Sequence, residues 1–300
     1  MNTYRPFSQG QLSLPNIDLI ESSEQVFADA FLKAAQILYR HLEHIKSATR
    51  GLKDFTREPF NLAILGLFSK MCGHYYSYVI LEIHQDRIGS QFLIENLCEA
   101  AITLTYLLEE VDDSLFSEYI FASVHQACYL LLDVEEQLQK FPNHTDLSLL
   151  RDKLETFITK QKEHTADSEV CLWGPQEADT TAKRGAVIGL DFLINPARQI
   201  ALKVMPASWL DLQLNYLNTF DNRSDTKAQP GVNFTCLRDV AHLCLHATQT
   251  FLEEVINYQD VNAADLARHK QDLNVLYEWF YNAHDVYQMN CFNNLRNRRM

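Results

Sequence analysis

The chain has 300 residues, 47% of them apolar, which is enough for a substantial core and excludes a disordered chain. Nine glycines and eight prolines are few for this length, which disfavours turn-rich β architectures and glycine-rich nucleotide loops and leaves a mostly helical protein. With 26 basic against 39 acidic residues the formal net charge is −13, which argues against general binding to nucleic acid or an anionic membrane, so any phosphate must be met locally.

The longest apolar runs, such as Leu62 to Phe68, fall far short of the roughly 20 residues that a membrane span needs. The N-terminal stretch lacks the basic start, apolar middle and small-residue cleavage site of a secretory signal. Seven cysteines, odd in number and without a C-x-x-C pair, read as reduced and mostly buried thiols in a cytoplasmic protein.

Residues 1–20, with Pro6, Gly10 and Pro15, read as an extended N-terminal arm carrying Tyr4, Arg5 and Phe7. A capping box at Ser22 to Gln25 opens a first helix to about residue 48, with Phe27, Phe31, Ala34, Leu38, Leu42 and Ile45 at helical spacing. Pro59 opens a second helix to about His84, apolar nearly all round and therefore expected to be central. A third helix, from about Arg87 to Glu110, follows with a kink expected near Gly89. A fourth runs from about Ser114 to Gln139, where Phe141-Pro142-Asn143 stops it, and a fifth spans about Thr145 to Glu163. Residues 164–196 lose the period and read as a long irregular insert. Short helices are expected around 197–204 and 207–220, then a polar loop at 221–231 and two long closing helices at about 232–258 and 262–292. The expected fold is all-α: a single-domain bundle of about seven to eight helices over residues 21–300, with one long irregular insert.

Charge is unevenly spread along the chain. Residues 58–182 carry 21 acidic and seven basic groups, whereas residues 183–238 carry seven basic and four acidic ones. The basic stretch includes Lys183, Arg184, Arg198, Arg223 and Arg238 and coincides with the irregular regions. It is where an anion could bind, although solvated loop charges are the simpler explanation.

On the third helix, Arg87, Gln91, Glu95 and Glu99 follow one another at four-residue spacing and form a shallow spiral stripe. Ile88 and Phe92 flank the acids and Leu93, Leu97, Ala101 and Leu104 take the opposite arc, so the carboxylates are expected between apolar surfaces. A carboxylate held there needs a cation such as Arg87, His74, His125 or Arg238, or the amino groups of a ligand. The stripe fits either a structural salt-bridge network or a polar seam that recognises a small ligand. Guanine suits the second option, because its N1 and N2 hydrogens match a carboxylate and its O6 and N7 match an arginine.

Signals for catalysis are weaker. The chain contains no H-E-x-x-H, G-x-S-x-G, G-x-x-x-x-G-K-[ST] or G-x-G-x-x-G motif. His41 with His44, and His242 with His246 one turn after Asp239, share helix faces; such pairs are ordinary in helices and are also potential metal ligands. A metal-dependent helical-bundle enzyme is therefore kept as a third reading.

The stretch from Cys72 to Leu107, with Arg87, Glu95 and Tyr106-Leu107, resembles a broad, poorly characterised helical family in which an arginine precedes a glutamate by about eight residues. In length, acidity and helix order the whole chain resembles the cyanobacterial all-helical cyclic-di-GMP receptors (CdgR-like). The resemblance implies a non-catalytic receptor with no cofactor, which binds cyclic-di-GMP and signals to a protein partner, a transcription factor governing cell size. The binding residues expected on this reading are Tyr4, Arg5, Arg87, Gln91, Glu95, Arg184, Asp221 and Arg223. The alternative is a helical protein–protein interaction module without a small ligand, whose closing helices, with Tyr277, Trp279, Phe280, Tyr281 and Tyr287, form a homodimer or partner surface.

Overall fold

A computed structural model of the chain describes residues 13–16, 24–53, 55–109, 113–161, 180–190, 234–256 and 263–297. The elements are α1 (Glu24–Arg50), a short 3-10 turn (Phe55–Arg57), α2 (Pro59–Ile83), α3 (Arg87–Glu109), α4 (Asp113–Lys140), α5 (Thr145–Gln161), α6 (Thr180–Val187), α7 (Phe234–Ile256) and α8 (Ala263–Asn297). Among the described residues there is no strand, and the all-α class follows. No helix described is long and apolar enough to cross a membrane. Sequence spacing alone predicts one helical body over residues 21–300; the structure groups the chain into two compact units, Met1–Leu108 with Gly185–Met300, and Glu109–Arg184.

The larger unit is built on α1, α2, α3, α7 and α8. Along α1 the residues Phe27, Phe31, Ala34, Leu38, Leu42 and Ile45 are all buried, as their three- and four-residue spacing dictates. Phe31 packs on Phe234 of α7 and on Trp279 and Phe280 of α8, while Phe27 meets Phe234 and Tyr287. Phe68 of α2 stacks flat on Phe251 of α7, ring centres 4.2 Å apart. Removing each such ring from water is worth about 1.5–3 kcal/mol. Helix α2 is less enclosed than its composition suggests: Ile64, Phe68, Met71, Tyr75 and Tyr78 are buried, but Leu62 and Tyr76 are exposed. Buried threonines solve their own polarity, since Thr49, Thr105 and Thr248 each donate to the carbonyl four residues earlier.

The junction of α2 and α3 is a complete break, where a kink near Gly89 was expected. Gln85 adopts a left-handed conformation with φ 58°. The amide of Asp86 donates to the carbonyl of Leu81, and that of Gln85 to the carbonyl of Glu82, which closes α2 in a Schellman motif. Asp86 then caps α3, its Oδ1 accepting from the amide of Gly89 at 2.9 Å. A Cβ at Gly89 would stand 2.7 Å from Oδ2 of Asp86, so the glycine admits the cap. Across the break, buried Ser90 donates to buried Glu82 at 2.6 Å.

Of the expected N-terminal arm, residues 13–16 are described; they are non-helical, and the carbonyl of Pro15 accepts from the indole of Trp279 at 2.8 Å. The stretch 164–196, read as irregular, contains helix α6. Ala182, Lys183 and Arg184 are good helix formers, and the two glycines that obscured the period have separate places. Gly185 lies within the helix, and Gly189, at φ 67°, ends it. The short helices expected at 197–204 and 207–220 and the loop at 221–231 lie outside the described residues.

The smaller unit is dominated by the antiparallel hairpin of α4 and α5, turned at Phe141 to His144 as the Phe-Pro-Asn signal indicated. Leu115, Ala127 and Val134 of α4 are buried, but α5 buries no residue. Tyr129, Leu132, Phe141 and Leu149 are more than half exposed.

Among the described residues, Cys72, Cys98, Cys236 and Cys244 are buried thiols and Cys128 is a half-buried one, none of them in a disulfide. Burial pushes the thiols of Cys72 and Cys244 well above the ordinary cysteine range, which makes both poor nucleophiles.

Candidate functional site

Two groups of titratable side chains stand out in the larger unit, both involving α8. The first joins α7 to α8. Helical spacing aligns Thr235, Arg238, Asp239 and His242 on one side of α7. Arg238 donates to Oδ1 of Asp239 from Nε (2.8 Å) and Nη2 (2.5 Å), and from Nη1 to Nδ1 of His284 at 2.7 Å. A guanidinium only donates, so Nδ1 of His284 must be an acceptor. Its Nε2 then carries the proton and lies 3.1 Å from Thr235 Oγ1.

The electrostatics follow from that geometry. Burial and then the neighbouring Arg238 charge lower the His284 pKa to about 4. His242, buried and stacked on Tyr277 with ring centres 4.4 Å apart, is likewise lowered to about 4, by burial first and with Arg238 and His284 adding to it. Both imidazoles are neutral at pH 7. Burial raises the Asp239 pKa, while Arg238 opposes the rise. Among the described residues, Oδ2 of Asp239 and Nε2 of His242 are buried without a hydrogen-bond partner. Further along the same seam, Gln249 donates to Asn274 at 2.6 Å and Lys270 to Glu253 at 2.5 Å. Arg238, which the sequence offered as a free anion ligand, is thus engaged by Asp239 and His284.

The second group joins α1 to α8. Nδ1 of His41 lies 3.1 Å from Nδ1 of His269, and the ring of His44 is 4.8 Å from that of His269. The ligating atoms of His41, His269 and Asp272 all lie within 4.8 Å of one another. Sequence reading singled out His41 and His44 but missed His269 and Asp272. The available signal was their three-residue spacing, which puts both on one face of α8.

Arg87 is the first residue of α3; Gln91 and Glu95 follow on the same helix, half-buried and exposed respectively. Glu95 was expected between apolar surfaces. Instead α3 turns Ile94, Leu97, Cys98, Ala101 and Leu104 inward, and Phe92 and Glu95 are left to solvent. Arg184 is buried on α6 in the smaller unit and donates from Nη2 to Thr181 Oγ1 at 3.3 Å. Tyr4, Arg5, Asp221 and Arg223 lie outside the described residues. The structure therefore puts Arg87, Gln91 and Glu95 on one helix and Arg184 in a separate unit.

Comparison with protein-family models, with curated proteins and with solved structures finds no match to this chain.

Proposed function

We propose that this chain is a non-catalytic, cytoplasmic receptor for cyclic-di-GMP that relays the level of the second messenger to a protein partner, a transcriptional regulator. The observation that carries the reading is the exposed face of α3. Phe92, 59% exposed, offers an open ring, and the exposed carboxylate of Glu95 follows it by three residues, nearly one turn. Gln91 lies beside them and Arg87 opens the same helix. A guanine stacked on Phe92 presents N1–H and N2–H to a carboxylate, and its phosphate calls for an arginine.

Calorimetric titration with cyclic-di-GMP tests this. Saturable heat is expected below about 100 μM ligand. Phe92→Ala and Glu95→Gln, both at exposed positions, should each weaken binding about tenfold, the loss of one stacking or charged contact of about 1.4 kcal/mol. Cyclic-di-AMP should bind poorly, because adenine has no N1 hydrogen to donate. No heat with cyclic-di-GMP refutes the reading.

A second reading, an interaction module without a small ligand, is favoured by the α4–α5 hairpin. Tyr129, Leu130, Leu132, Phe141 and Leu149 are all exposed there, a concentration of apolar side chains that marks partner surfaces. It predicts self-association or partner binding that is insensitive to nucleotides.

A further inference from the structure

Two short patterns on different helices converge: His41-x-x-His44 on α1 and His269-x-x-Asp272 on α8. A three-residue step places each pair on one helix face, so two facing helices can supply two ligands apiece, as metal sites within helical bundles do. The two helices run antiparallel, since Phe27 meets Tyr287, Phe31 meets Trp279, and His41 meets His269.

The distances suit a small cation. Two nitrogens each 2.0–2.1 Å from a tetrahedral zinc stand about 3.3 Å apart. The Nδ1 atoms of His41 and His269 are 3.1 Å apart. The carboxylate of Asp272 has to close from no more than 4.8 Å, a movement within reach of rotation of a half-buried side chain. His41 is buried, His269 and Asp272 are half-buried, and His44 is exposed, so the group is open to an ion from one side. The guanidinium of Arg268 is close enough to act on the charge of His41, but it belongs to an exposed residue, where solvent and salt screen it.

We propose that His41, His269 and Asp272 bind a divalent late-transition-metal ion, with His44 as fourth ligand, and that the ion staples α1 to α8. Imidazoles favour zinc, cobalt or nickel over magnesium and calcium, which prefer oxygen ligands throughout. The ion would close a loop of more than two hundred residues, joining the first of the described helices to the last.

The test uses the full chain, stripped with a chelator and titrated with zinc chloride by calorimetry, and separately followed by thermal unfolding. One zinc per chain is expected, together with a rise in melting temperature, because the ion binds the native state selectively. Magnesium chloride should give neither. His269→Ala and Asp272→Asn change half-buried residues, and circular dichroism should show their helix content retained. Each should weaken zinc binding about tenfold or more and abolish the thermal shift. His44→Ala, at an exposed position, should weaken it less. Absence of stoichiometric zinc overturns the proposal, as does unchanged affinity in the His269→Ala/Asp272→Asn double variant. The outcome is independent of cyclic-di-GMP, which has its own titration.

Discussion

Arg238 donates to the ring of His284, 46 positions further along the chain, and the bond requires that the imidazole be neutral. Protonating His284 would turn an acceptor into a donor facing a guanidinium. The α7–α8 seam therefore carries its own sensitivity to acid.

Stability should fall as the medium is acidified. His41, His242 and His284 all have pKa values lowered from 6.5 to about 4, in each case by burial first. Between those limits the unfolded chain binds more protons than the native one, so stability is fully present above about pH 6.5 and is lost as pH falls toward 4. For the mostly buried His41 and His242 the shift corresponds to at most about 3 kcal/mol each. Asp239, whose pKa is raised, works the other way: its contribution is present below 3.8 and is lost as pH rises through its native value. Urea unfolding between pH 7.5 and 4.5 should show a declining midpoint, and a flat profile would show that these imidazoles are solvated.

The ion pair in the seam should be costly to break from one side. Asp239 is buried and Arg238 half-buried, so Asp239→Ala leaves a guanidinium without its anion and should cost about 2–3 kcal/mol. Replacing both, as Arg238→Met with Asp239→Leu, should recover part of that loss. A double-mutant cycle by denaturant unfolding measures the coupling.

Phe68 and Phe251 are stacked and fully buried. Phe68→Ala should lower stability by about 3–5 kcal/mol, through lost burial and the cavity left behind. Phe251→Ala should cost a similar amount. The double variant should cost less than the two together, because both truncations open the same space.

At the α2–α3 break, Asp86→Ala should cost about 1 kcal/mol by removing the cap on Gly89. Gln85→Gly should be stabilising by up to about 1 kcal/mol, because glycine occupies a left-handed conformation without the Cβ penalty. Thermal unfolding of the two variants separates these opposite signs.

Helix positions were legible from residue spacing, because Phe27 to Ile45 and Phe234 to Val255 repeat at the helical period and must be buried together. Pro59 and Pro142 marked boundaries for a local steric reason. The α2–α3 break was displaced from Gly89 to Gln85, since a left-handed glutamine leaves no compositional trace. Helix α6 was missed because Gly185 lies inside it. Grouping into two units was not visible, since no Pro- or Gly-rich linker accompanies it. Of the candidate site, the α3 stripe was readable as a spacing, but which arc faces water depends on what packs against Ile94, Leu97 and Ala101. The pairing of His41 with His269 was out of reach for a different reason: 228 positions separate them, and only the tertiary packing of α1 against α8 unites them.

Thr235 with His284, His242 with Tyr277, Gln249 with Asn274 and Lys270 with Glu253 form a ladder whose members descend α8 as they climb α7. Aliphatic side chains would tolerate sliding by one turn, since one leucine fits roughly where another did. These rungs would not: a single-turn slip mismatches all four together and strands Arg238 against the wrong neighbour. The closing helix thus has one alignment, keyed along much of its length, and any surface it presents stays in fixed register with the core beneath.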